Sequence, residues 1–559
     1  MKFKKCLAGL FAVLFTVLSF SGCKWFSKEF SPESALPKDA VFVLSVDHSD
    51  KGQAENLDKF VESFPDSGFR KQILASSNLE NDLKDSGLDY EKDFKPLFQG
   101  KWKVAFGAYF PSAEVGLEPR VVLSGWFDDE EKLSKVLDAF AAKNNGYKKA
   151  EGVKYYDTND GSRVVVDGNK FFVVNKQDQF ESALKRFNGD EEGFKNEYKS
   201  GIVSVFLDPV KLAPLFDKVF SGYGKNMFVG NVFFDILKLG KNVYGSVFIE
   251  EGGLKVSSNI TLGDDKDLIE KFFPNKSYKV GIVDKVPGKD LMFYLEESSL
   301  GSNLKRIFDL VQRTYSMYDE VLDAVSGISG SGRGDTESLF NSPYAISISD
   351  GEVFPSIGVY LKVDDKGAEV AKRLSAAMSS YVEDLLKGFA VKGFDKFIRK
   401  ENVLVNGGGV YKVYIDFASA PKELIDTYAA TMPNIDFKNL KLEFYYGVTG
   451  DNIFVIALSP DFDKAYGKDT ISKYYLYKEA VEKLEDFSGY RVMFLDPGKF
   501  VEFADKILKL SGNPRFNDKL QFLDLAKKFV APVKYFVITS KIGGNSLLGG
   551  FFLGVDVKK

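Results

Sequence analysis

Histidine and cysteine are nearly missing from this chain: one histidine, His48, and two cysteines, Cys6 and Cys23, occur in 559 residues. A zinc site built on several His and Cys ligands cannot be assembled within one chain, and cysteine-nucleophile catalysis goes with it. Cys6 sits in an N-terminal leader, so Cys23 is the one mature thiol and an intrachain disulfide is ruled out. Stability must come from packing. An excess of one charge is missing too. The 75 Lys and Arg stand against 79 Asp and Glu, a formal charge of -4, which lacks the basic surplus that nucleic-acid binding needs. Eighteen prolines and no long low-complexity tract argue against an extended disordered region.

What is present is a globular body with an unusual aromatic content: 44% hydrophobic residues, with 52 Phe and 26 Tyr. A chain of this length outgrows one core and divides into domains. Residues 1–22 read as a signal peptide. Lys2, Lys4 and Lys5 are followed by the apolar run Leu7 to Phe20, whose 14 residues are too short to cross a bilayer core of ~30 Å.

Phe20-Ser21-Gly22-Cys23 resembles the lipobox of bacterial lipoproteins, with Phe20 where Leu is usual. That resemblance implies cleavage before Cys23, a diacylglyceryl group on its thiol and acylation of the new amine. Two or three acyl chains, at ~0.8 kcal/mol per buried CH₂, exceed what stable anchoring to a membrane takes. Residues 23–36 then form a tether, with Trp25, Phe26 and Phe30 at headgroup level. Lys24 follows the Cys where some diderm bacteria read an Asp as an inner-membrane retention signal, so the resemblance implies outer-membrane sorting, facing the periplasm or the cell surface.

Beyond the tether the chain repeats itself. SGIVSVFLDPVKLAPLFDKV (Ser200 to Val219) aligns without a gap with SGYRVMFLDPGKFVEFADKI (Ser488 to Ile507), a shift of 488 − 200 = 288. Pro119 with Asp128-Asp129 matches Pro355 with Asp364-Asp365, a shift of 355 − 119 = 236. Leu97-Phe98 corresponds to Leu339-Phe340, and Leu36 onward to Val286 onward. The growing shift predicts an insertion near 385–440 in the second copy, holding a hairpin that turns at Asn406-Gly407. The expected domains are 37–270 and 280–559.

Each copy mixes two periods. Val164 to Asn175, turning at Asp167-Gly168, and Ser246 to Leu262, turning at Gly252-Gly253, read as antiparallel hairpins. Asp128 to Lys143 puts Leu133, Val136, Leu137 and Phe140 at helical spacing. The fold class is therefore α+β: two duplicated domains, each a largely antiparallel sheet with helices packed on one face.

Candidate sites are few. Asp208 and Asp496 end strands and precede Pro209 and Pro497, which suits helix N-caps with Pro at the first helical position rather than chemistry. Asp47-His48-Ser49-Asp50 holds the letters of a hydrolase triad, but neighbours in a strand point to opposite faces. Ser326 to Glu337 is rich in glycine without a phosphate-loop ending, and reads as a mobile loop; its Arg333-Gly334-Asp335 is the tripeptide some adhesins show to integrins. Paired carboxylates for a carbohydrate-active hydrolase are not singled out among so many acids.

The expectation is a lipid-anchored cell-envelope protein, attached to the membrane through acyl chains on Cys23. It acts as a binding or scaffolding module for an envelope protein, with no catalysis, cofactor or metal of its own. A carrier or chaperone for lipid or other apolar cargo is the alternative, since a half-open sheet covered by helices can enclose an apolar cavity.

Overall fold

A computed structural model describes residues 30–64, 79–110, 118–150, 152–213, 239–274, 276–310, 316–390, 396–431, 434–487, 489–511 and 517–556. Cys23 lies outside them. The described residues divide into one compact unit ending at Gly263, joined by Val555 and Asp556, and a second unit, Asp264–Gly554.

The strands of the first unit are β1 (Phe42–Asp47), β2 (Trp102–Tyr109), β3 (Arg120–Phe127), β4 (Lys148–Ala150), β5 (Val153–Asp157), β6 (Arg163–Asp167), β7 (Lys170–Val174), β8 (Val203–Leu207), β9 (Gly240–Glu250) and β10 (Gly253–Leu262). All their pairings are antiparallel, in the order β4-β5-β6-β7-β3-β2-β1-β8-β9-β10. Helix α1 (Lys51–Glu62) follows β1, α2 (Glu130–Lys143) follows β3 and α3 (Phe180–Asn188) follows β7.

The second unit has β11 (Leu291–Glu297), β12 (Tyr344–Ser349), β13 (Ser356–Lys362), β14 (Ile398–Val405), β15 (Gly408–Asp416), β16 (Lys441–Val448), β17 (Ile453–Leu458), β18 (Arg491–Leu495), β19 (Val533–Gly543) and β20 (Ser546–Val555). Their order is β14-β15-β16-β17-β13-β12-β11-β18-β19-β20. Each strand takes the place of the strand numbered ten lower, so the two units are copies of one α+β topology. Register equates them residue by residue. Ser45 of β1 faces Ala105 and Ser204, and Glu296 of β11 faces Ala345 and Val492.

Expectations of the insertion, the tether and the glycine-rich segment change. The hairpin β14–β15 is not an added element: it occupies the place of β4–β5, whose β4 has only three residues. The extra length lies instead in longer strands, in the 26-residue helix α4 (Asp365–Ala390), which replaces the 14 residues of α2, and in the helical segment between β15 and β16. The tether ends before Leu36: Pro32–Ala35 form a 3-10 turn, and Ala35 and Leu36 are fully buried. Finally, Ser326–Glu337 is not a loop. Helix Ser316–Ser329 runs to within a short turn of helix Arg333–Phe340. The Ser326 hydroxyl reaches Thr336 Oγ1 at 2.8 Å, and Arg333 pairs with Asp319 and Asp323, ties that outweigh the glycines.

In both units the strand alternation splits the core into two layers, with helices against both faces of the sheet and not the one face expected. One face of the first sheet carries Val43, Ala105, Val122 and Phe172 against α3 and the 32–35 turn. The other carries Val46, Trp102, Phe127 and Phe171 against α2 and the 3-10 segment Lys95–Gln99. Asp129 caps α2 by accepting from the Lys132 amide at 2.9 Å, and Asp364 caps α4 by accepting from the Gly367 amide at 2.7 Å. The equivalent caps are thus the second Asp of one pair and the first of the other.

Candidate ligand cavity

Between the first sheet and α2 the structure holds a cavity of about 210 Å³ whose lining residues are all apolar. Period-two alternation puts Leu44, Trp102, Val104, Phe106, Leu123 and Phe127 on one face, and helical spacing puts Leu133, Val136, Leu137 and Phe140 opposite them. Phe94, Leu97 and Phe98 close one side. Gly125 has a specific part in this wall. A Cβ there would lie 2.7 Å from the Phe171 ring, which fills the space over β3.

The cavity exists because large side chains hold the layers apart. By register and cap, the second unit places Ser342 for Trp102, Ile346 for Phe106, Val359 for Leu123, Val363 for Phe127, Ala368 for Leu133, Ala371 for Val136 and Ser375 for Phe140. Small residues on the helix let it close onto the sheet, and Ala368, Ala371, Leu361 and Val363 form a continuous core there. The same face also turns polar in the second unit. Val46, Val104 and Val203 pack together in the first; Glu297, Tyr344 and Arg491 replace them, with Arg491 ion-paired to Glu297.

His48 adjoins the cavity wall through Trp102. Its ring is stacked on Trp102 at 5.2 Å and 4°, is 3% exposed, and has no hydrogen-bond partner at either nitrogen. Burial lowers its pKa below the ordinary 6.5, against smaller raising effects of the Gly100 backbone, Asp47 and Asp128. The triad letters therefore do not converge. Asp47 accepts from the Ser49 amide and hydroxyl at 3.0 and 2.5 Å, Asp50 caps α1 through the Gln53 amide at 3.1 Å, and His48 faces the indole.

Asp208 and Asp496 accept from the Lys211 and Lys499 amides, each at 3.0 Å, as N-caps. A more polar cleft of about 620 Å³ lies in the second unit, with Ser347, Ser349, Asp350, Glu443 and Lys506 along it. Several of its charges are engaged within the fold: Lys506 with Asp350, and Glu443 with Lys412 at 3.0 Å and with the Tyr445 hydroxyl, which lies between Glu443 and Asp463 at 2.6 and 2.8 Å. No group of three or more metal-ligating side chains occurs among the described residues.

The cavity residues were not singled out by sequence reasoning. The available signal was the alternating Trp102-Val104-Phe106 of β2 facing the apolar stripe of α2, a pattern that an ordinary core shares.

No protein-family model matches this chain, and no curated protein does either. Two solved structures, crystal forms I and III of TP0453, align with 44% of this chain and 88% of their own length. Their identities are 10% and 13% and their TM-scores 0.23 and 0.25. At that level they assign no function.

Proposed function

We propose that this is a lipid-anchored cell-envelope protein whose first repeat binds a small apolar molecule, without catalysis of its own. The observation that carries the binding part is the all-apolar cavity under α2. An engineered apolar cavity of ~150 Å³ stays dry and takes up benzene, so a space of about 210 Å³ suits a somewhat larger hydrocarbon group, such as an aromatic ring system or part of an acyl chain. No general acid, base or nucleophile lines it. Of the two expected readings, binding module and apolar carrier, the geometry supports their overlap. The anchor rests on the lipobox-like Phe20-Ser21-Gly22-Cys23, which also supports attachment to the membrane, with the outer membrane favoured by Lys24.

Titration of the full chain with 1-aminoanthracene tests the binding. Val136→Phe, which fills the space, is expected to abolish uptake, while Ala371→Val in the second repeat leaves it unchanged. Equal uptake by the Val136→Phe protein, still folded by circular dichroism, defeats the cavity as the site. Labelling cells with an acyl-chain analogue tests the anchor separately: Cys23→Ser is expected to carry no label, and a labelled variant defeats it.

A further inference from the structure

His48 is the single histidine of the chain, it is 3% exposed, and neither ring nitrogen is hydrogen-bonded. A buried imidazole without a partner is tolerated only as a neutral plate, and the fold uses it so. The ring lies flat on Trp102, whose own Nε1 is unpartnered and which lines the cavity. Trp102 in turn packs edge-on to Phe98 at 5.5 Å and stacks on Phe127 at 6.3 Å, both of which line the cavity. The His48 amide donates to the Trp102 carbonyl at 2.9 Å, so the two residues move together.

The charges around the ring are committed elsewhere. On β1, Asp47 is held by Ser49 and, at 3.2 Å, by Lys103 of β2. At the turn before α2, Asp128 accepts from the Lys101 amide at 2.9 Å and presses against Gly100, where a Cβ would fall 2.1 Å from its Oδ1. On α1, Asp50 caps the helix and Lys51 pairs with Glu55 at 3.3 Å. None of these groups bonds the ring. A proton on His48 would place a buried charge that the Gly100 backbone, Asp47 and Asp128 offset only in part, and further relief lies in water or in a closer approach to Asp128, whose turn carries α2, the cavity's roof.

We propose that His48 is an acid-sensitive latch on the apolar cavity: neutral, it seals the Trp102 wall, and protonated, it opens that wall and releases the occupant. The release rests on the binding reading above; the latch itself does not. The sign follows from burial. His48 has a folded pKa below the ordinary 6.5, so the closed state loses stability as pH falls through 6.5. One pH unit below that value, the open form is favoured by up to about tenfold relative to neutral pH.

The test compares the full chain with His48→Gln at pH 7.5 and 5.5. The C2–H proton resonance of the single histidine should titrate below 6.5, and 1-aminoanthracene affinity should fall on acidification by up to about tenfold in the natural chain and by less than about twofold in the variant. Should His48→Gln fail to fold, His48→Phe keeps the stack without a titratable nitrogen. A resonance titrating at or above 6.5, or an equal loss of affinity in the variant, overturns the latch. If the probe binds at neither pH while the resonance titrates low and acid exposes Trp102 to acrylamide only in the natural chain, the latch stands and the cavity reading falls.

Discussion

Glu33 and Glu296 each deliver a buried carboxylate to the corresponding turn–strand contact inside their own repeat, from opposite partners. In the first, Glu33 of the 32–35 turn reaches across to the strand, accepting from the Ser45 hydroxyl at 2.6 Å and pairing with Lys103 at 3.1 Å. In the second, Glu296 occupies the strand position of Ser45 and reaches back to the equivalent turn. It accepts from the Gly281, Ile282 and Val283 amides at 2.6, 2.8 and 3.0 Å, and from the hydroxyls of Tyr278 and Tyr294. Burial, aided by that carboxylate, raises the pKa of both tyrosines. Burial works to lower the Lys103 pKa, but Glu33 and Asp47 outweigh it and hold the ammonium charged.

Glu296→Gln puts an amide donor where five donors converge. Hydrogen bonds to a charged group are worth about 1.5–3 kcal/mol each, and an unmade buried one costs its desolvation. The second unit should lose roughly 3 kcal/mol in urea unfolding, whereas Ser45→Ala, which removes one bond to Glu33, should cost the first unit about 1 kcal/mol. A Glu296→Gln protein as stable as the natural one would show that this contact is solvated.

The paired caps make a second comparison. Asp208→Ala and Asp496→Ala each remove an acceptor for a helix-opening amide. Each is expected to destabilise its own unit by ~0.5–2 kcal/mol and leave the other unit's transition in place, as lost N-caps at distant sites do. Single-unit shifts seen by hydrogen exchange would support the duplication energetically; a shift in both units from either change would count against independent repeats.

Much of the fold was legible because it is written locally. The turns at Gly168 and Gly252 have φ of 57° and 86°, which favour glycine and close the hairpins on either side. Asp-Pro after a strand signals a helix start by its own chemistry. The repeat alignment, however, counts residues and not pairings, so it took the lengthened counterpart of β4–β5 for an insertion. In Ser326–Glu337 the glycines masked the ties of Arg333 to Asp319 and Asp323, which only a folded helix pair brings together. The cavity was hidden for a different reason. Its walls come from β1, β2, β3, β7, α2 and the segment before β2, and whether such walls touch or stand apart depends on volumes summed across the layers.

The exchange of Val46 and Val203 for Glu297 and Arg491 gives the last prediction. Glu297 is 6% exposed at its side chain and holds Arg491, with Asn303 and Tyr344 also donating to it. Arg491→Val alone leaves that carboxylate buried without its cation, which typically costs ~3–5 kcal/mol; the 32% exposure of the Arg491 side chain places this case toward the lower end. Replacing both with the first repeat's residues, Glu297→Val with Arg491→Val, removes two desolvated charges together and should be neutral or stabilising by ~1–4 kcal/mol. Asn303 still donates to the Tyr344 oxygen at 2.9 Å, but the Tyr344 hydroxyl loses Glu297 as its acceptor, which holds the gain toward the lower end. Chemical denaturation of the two single variants and the double completes a thermodynamic cycle. A double variant as damaged as Arg491→Val alone would mean that the pair is needed for more than mutual compensation.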